Sequence, residues 1–177
     1  MDSMWLYVTR KESDMKKRMF AGIVVFVTVF LFCAIVSNGK DEDTYIKQEY
    51  QEYCNEIGEM YCICPELLMA MIEAESSGVA DAKNGSCKGL MQVSERWHKD
   101  RMKRLGVEDI FDPYGNILVA ADYLLELFER YHDVGVVLMV YNGDSRADEF
   151  ADGECDLSKY AQKILDRSAE LERLHGK

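Results

Sequence analysis

From Tyr45 onward, apolar residues recur at three- and four-residue spacing between short polar breaks, the pattern of amphipathic helices. Positions 46, 50, 53 and 57 form one such stripe over 45–59. Pro65 then stands at a first helical position, with Glu66 in the first turn where the helix dipole favours an acid. That helix is expected to end at Ser76, Ser77 and Gly78. A further helix is predicted after Gly89, ending near Gly106. Asp112-Pro113 reads as the N-cap and N1 pair of another, through Tyr131. Ser158 caps a last one, to about Leu174. The segment Val134 to Val140 (VGVVLMV) stays open between a strand, which its β-branched residues suit, and a buried helix, which its neighbours suit. Asn84-Gly85-Ser86-Cys87 reads as a turn. No internal repeat interrupts the series, and the prediction is an all-α or mainly α domain over 45–177.

The first 44 residues follow a different pattern. Met19 to Ser37 carries no charge, and nineteen residues at about 1.5 Å each approach the roughly 30 Å of a bilayer core. Arg10, Lys11, Lys16, Lys17 and Arg18 precede the run, and Asp41, Glu42 and Asp43 follow it. The basic side stays in the cytoplasm. The expected organisation is a cytoplasmic basic tail over 1–18, a transmembrane signal anchor over 19–37, an acidic stalk over 38–44, and the domain outside the cell membrane. A cleaved signal peptide followed by secretion is the alternative; the run is long for one and lacks a small-x-small site. A buried core helix fits less well, because no face of the run is polar.

Charge and cysteines narrow the partners. The chain has a formal net charge of −11. Five of its 21 basic and three of its 32 acidic residues lie in the first 37, so 16 and 29 remain, a net of −13. Such a surface repels phosphate backbones, and no nucleic-acid partner is expected. Cys54, Cys62, Cys64, Cys87 and Cys155 lie outside the apolar run, an odd number that leaves disulfides and free thiols both open. Neither Cys62-x-Cys64 nor His98, His132 and His175 has a zinc-ligand spacing. No metal or cofactor is expected.

The chemistry points to one side chain. On a wheel of about 100° per residue with Leu68 at zero, Met71 falls at about −60°, Ile72 at about +40° and Glu75 at about −20°. Glu75 therefore continues an apolar stripe. Glu66 and Glu73, at about 160° and 140°, are expected on a solvated opposite face. A carboxyl partly removed from water has its charged form penalised, holds its proton at higher pH, and can serve as a general acid. Periodicity alone equally allows a glutamate that reaches solvent as the stripe runs out.

The order of motifs adds to this. Glu75-Ser76, Gly89-Leu90-Met91-Gln92 and Tyr141-Asn142-Gly143 together resemble the soluble lytic transglycosylase family, which has a lysozyme-like fold. Asp112-Pro113 with Asn116, and Tyr160 in Ser-Lys-Tyr-Ala-Gln-Lys-Ile, extend the resemblance over about 100 residues. Each motif is weak alone; their order and spacing carry the likeness. It implies that Glu75 protonates the oxygen between N-acetylmuramic acid and N-acetylglucosamine of peptidoglycan, then acts as base on the muramic 6-hydroxyl. A 1,6-anhydro end results. It further implies that Ser76 orients Glu75 or the sugar, and that Met91 and Gln92 line the cleft. Tyr141 and Asn142 would hold the carboxylate and the acetamido group, and Tyr160 would complete the wall.

Two departures bear on substrate positioning: Ser77-Gly78 where the family often has an aromatic, and Val140 where it usually has Ala. Ordinary glycosidases use two carboxylates; Glu73, Glu95 and Asp112 stay open as a second, which would make the chain a lysozyme-type hydrolase. A non-catalytic wall-binding scaffold, in a secretion or conjugation apparatus, is the third reading. Cys64 and Cys87 form a candidate disulfide, closing a loop of about 24 residues and adding on the order of 3 kcal/mol.

Overall fold

A computed structural model of the chain describes residues 46–177. The basic tail, the proposed transmembrane run and the acidic stalk lie outside the described residues. Among the described residues no helix is long and apolar enough to cross a membrane.

Helix α1 (Gln48–Tyr61) buries Tyr50, Cys54 and Ile57 on one face, at the expected period. It ends at Cys62 in the left-handed conformation (φ 54°). Gly58 lets the chain double back tightly: a Cβ there would lie 2.7 Å from the carbonyl of Ile63. Helix α2 (Pro65–Ser76) follows, with Pro65 in its first turn, and Ser77 closes it at φ 54°. Seven consecutive residues, Glu66 to Ile72, are buried. This helix is the centre of the domain, with α1 and the last helix, α7 (Lys159–Leu174), packed against it. The face opposite the apolar stripe is therefore covered by α7, and the expected solvation of Glu66 and Glu73 is corrected. Glu66 is 1% exposed.

A three-stranded antiparallel sheet comes next, β1 (Lys83–Asn84), β2 (Cys87–Lys88) and β3 (Val93–Ser94), with Asn84 opposite Cys87 and Cys87 opposite Ser94. Gly85-Ser86 turn the first hairpin, where a turn was expected. Helix α3 (Glu95–Leu105) begins only after the sheet, later than predicted, because Gly89 (φ 78°) and Gln92 (φ 47°) both take left-handed conformations that no helix accommodates. It ends at Gly106 (φ 71°).

Helix α4 (Pro113–Tyr131) starts as expected, the Asp112 carboxylate accepting the Gly115 N–H at 2.7 Å. The ambiguous segment is helical, α5 (Val134–Tyr141), capped by Asp133 and buried from Gly135 to Met139. Complete burial explains why it shows no helical stripe. A short unexpected helix, α6 (Ala147–Ala151), precedes α7, which Ser158 caps through the Ala161 N–H at 3.2 Å.

Candidate active site

Glu75 lies in the last turn of α2 and is half-buried. Residue Tyr160, in the first turn of α7, donates its hydroxyl to Glu75 Oε1. Burial raises the Glu75 pKa above the ordinary carboxylate value, and the Tyr160 hydrogen bond opposes that rise without cancelling it. The last turn of a helix also disfavours a negative charge. Both tyrosines beside Glu75 keep their protons. Burial first, then the nearby Glu75 charge, drives the phenol pKa of Tyr160 and of Tyr141 far up. Glu75 is thus a carboxyl able to carry a proton, next to a neutral phenol that donates to its ionised form.

Tyr141, at the end of α5, does not hydrogen-bond the carboxylate. Its hydroxyl donates to the carbonyl of Met91 at 2.8 Å. The hydroxyl that meets Glu75 is that of Tyr160, and Tyr141 is tied to the Gly89–Gln92 segment. Behind Tyr141 an aromatic stack runs back to α3: its ring is 5.7 Å from that of Tyr123, which is 4.7 Å from that of His98. Packing of this kind fixes the ring of Tyr141 from the rear.

The Gly89–Gln92 segment is held from beneath by Asn116. Its Oδ1 accepts the Met91 N–H at 2.7 Å, while Nδ2 donates to Lys88 O at 3.0 Å and to Ile110 O at 2.8 Å. The amide is 1% exposed, and these bonds satisfy both of its donors. Gly89 is obligatory above it, since a Cβ would sit 2.3 Å from Asn116 Nδ2 and φ is 78°. The positioning role of Asn116 follows from its place on the apolar stripe of α4, a buried amide that must find partners.

The remaining expected residues have these places. The side chain of Met91 is fully buried rather than lining the cleft, and its carbonyl accepts the Tyr141 hydroxyl. Gln92 is half-buried and folds its amide onto its own loop, donating to Gly89 O at 2.9 Å and Ala82 O at 3.3 Å. The Ser76 hydroxyl bonds back to Ile72 O at 3.2 Å and not to Glu75. Asn142 is exposed at the end of α5.

The three acids open as a second carboxylate are engaged elsewhere. Glu73 pairs with Arg167 at 2.7 and 3.0 Å, Glu95 with Lys88, and Asp112 caps α4. Cys64 and Cys87 are not joined, which corrects the expected disulfide. Cys64 begins α2 and turns its thiol to Glu66 (3.1 Å), whereas Cys87 lies in the sheet, near Tyr141 at the opposite end of that helix. Among the described residues no group of His, Cys, Asp and Glu side chains is gathered to hold a metal ion.

Comparison with known proteins gives the family and the fold. The profile of the Transglycosylase SLT domain matches residues 52–156, and the chain belongs to that family. A protein named "Transglycosylase" from Enterobacteria phage PRD1 is 36% identical over 84 residues, 47% of this chain and 30% of the phage protein. An inactive mutant of the lytic transglycosylase Slt from Pseudomonas aeruginosa superposes with a TM-score of 0.60 at 18% identity, over 71% of this chain and 24% of that one, a likeness of fold. The chain thus spans less than a third of either relative.

Proposed function

We propose that this family member is a peptidoglycan lytic transglycosylase that cleaves the bond between N-acetylmuramic acid and N-acetylglucosamine without consuming water. Glu75, protonated at the outset because burial disfavours its charge, gives its proton to the bridging oxygen as the bond to the anomeric carbon breaks. The carboxylate left behind is stabilised by the Tyr160 hydroxyl. It then takes the proton of the muramic 6-hydroxyl, whose oxygen closes on the anomeric carbon and leaves a 1,6-anhydro end. The substrate's own hydroxyl and acetamido group replace the second carboxylate of ordinary glycosidases. Exposed Asn142 is suited to the acetamido group, and Gln92 and Tyr141 shape the wall beside it.

One observation carries the reading: Glu75 is half-buried with a phenol as its side-chain hydrogen-bond partner and no cation beside it, while Glu73, Glu95 and Asp112 are each bound to other groups. The run 19–37 supports placement at the outer face of the cell membrane, as a single-pass anchored enzyme. A small anchored wall enzyme suits local opening of the wall for a secretion or conjugation machine.

The test is mass spectrometry of muropeptides released from purified peptidoglycan by the full chain and by Glu75→Gln. The expected products end in 1,6-anhydro-muramic acid, and the substitution lowers their formation by about 10³-fold, the middle of the range for general-acid loss. Products heavier by one water would make the chain a hydrolase of lysozyme type. Wall binding without products from the unsubstituted chain would leave the scaffold.

A further inference from the structure

A groove of about 1300 Å³ runs between α2 and α7, on a flank of α2 that Glu75 does not line. Its near end is formed by Ser77, two residues past Glu75, and by Lys159, next to Tyr160. The groove therefore begins beside the candidate acid and leads away from it. Ala70 and Ala74, one turn apart on α2, line it without filling it. On α7, Lys159, Lys163 and Arg167 succeed one another at four-residue spacing, which puts them on one face of the helix.

Two of the three acids lining the groove share one arginine, and the third keeps its charge. Glu73 and Glu170 both bind Arg167, and Asp166 accepts from Gln162 at 2.8 Å. Lys159 and Lys163 are exposed and have no carboxylate partner among the described residues. Two adjacent lysines outside any ion pair stand out in a chain of net charge −11, even with the Asp166 carboxylate on the same helix. They are placed at the end of the groove nearest Glu75.

We propose that this groove receives the peptide arm carried by the muramic acid of the substrate, with Lys159 and Lys163 pairing its carboxylates. The inference rests on the peptidoglycan reading above and adds which part of the substrate is recognised beyond the sugars. Length fits: from Lys159 to Arg173, α7 covers roughly 21 Å, and an extended arm of four or five residues spans about 13–18 Å. Charge fits as well, since such an arm ends in, and carries along its length, free carboxylates. Exposed ion pairs are individually weak, so the two together are expected to change affinity about five- to tenfold and to fade with added salt.

The experiment is calorimetric titration of the full chain carrying Glu75→Gln, which needs no turnover. The probes are a GlcNAc–MurNAc disaccharide bearing a pentapeptide and the same disaccharide without the peptide. The expected result is about five- to tenfold tighter binding of the peptide-bearing probe. Lys159→Ala with Lys163→Ala abolishes that preference and leaves the peptide-free affinity unchanged, and Lys159→Arg with Lys163→Arg retains it. Equal affinity for both probes, a preference that survives the double alanine variant, loss of affinity for both probes alike, or no binding of either would overturn the proposal. A preference that is present in a chain that makes no 1,6-anhydro product would keep the groove assignment and sink the transglycosylase reading instead.

Discussion

Helix α2 carries a buried carboxyl group near each end, and the pKa values of the two move in opposite directions. Glu66 is almost wholly removed from water, yet its pKa falls to about 2. Burial pushes it up, but hydrogen bonds from Lys177, His175 and Cys64 outweigh burial. Glu75 is less buried, and its pKa rises, because a neutral phenol is its one side-chain partner and does not offset the burial. The helix dipole acts in the same sense at both places, favouring charge in the first turn and opposing it in the last. Burial alone thus does not make a general acid. The absence of a cationic partner does: Lys177, just past α7, reaches one end of α2, and Tyr160, in the first turn of α7, reaches the other.

The comparison breaks most visibly at the Glu66 end. Glu66→Ala leaves the ammonium of Lys177 and the ring of His175 without their anion, inside a contact that joins the start of α2 to the end of α7. Removing one partner of a buried pair costs about 3 kcal/mol, at the low end of the usual range because Lys177 is half in water. Thermal unfolding followed by circular dichroism should show a melting temperature lower by roughly 10 °C. Glu75→Ala should melt no lower than the starting chain, since its carboxyl is penalised where it stands. Equal losses at the two ends would mean that both carboxyls serve as structure.

Acid titration sharpens the same contrast. The Glu66 pKa is depressed in the folded chain, so its ionised form favours folding. The contribution is complete above the ordinary value of 4.5 and is lost as pH falls through that value towards about 2. Denaturant midpoints measured across this window should drop steeply for the starting chain and be flatter for Glu66→Gln. A parallel decline in both would place the acid sensitivity elsewhere.

These two ends also differ in how far they can be read from residues. The place of Glu75 on the apolar stripe follows from period alone, and the caps at Asp112 and Ser158 follow from local chemistry. Glu66 does not, because a helical wheel tells where a side chain points and not what a segment about 100 residues later brings there. The thiol of Cys64, turned to Glu66 and Glu172, escapes for the same reason. The stretch from Gly89 to Ser94 was open to misreading as helix because Gln92, with φ of 47°, takes a conformation its residue type does not advertise. Asn116 was legible only as part of a motif, although an amide on the stripe of Ile117, Ala120 and Leu124 already implies buried partners. Which tyrosine meets Glu75 depends on how α5 and α7 pack, and no local pattern separates Tyr141 from Tyr160.

That last distinction gives the smallest and most specific prediction. The Tyr160 hydroxyl stabilises the Glu75 carboxylate, and so lowers the pKa that burial raises. In Tyr160→Phe the opposition disappears and the Glu75 pKa rises further. A general acid must hold its proton before reaction, so activity declines as pH rises through that pKa. The alkaline limb of the rate profile should therefore move to higher pH in Tyr160→Phe. The plateau below it should fall about tenfold, because a hydrogen bond to the carboxylate formed at bond breaking is worth about 1.5 kcal/mol. Tyr141→Phe removes a bond to the Met91 carbonyl instead, so it should loosen the wall while leaving the limb where it was. A limb that moves down in Tyr160→Phe, or that moves only in Tyr141→Phe, would show that the proton is governed from the other side of the site.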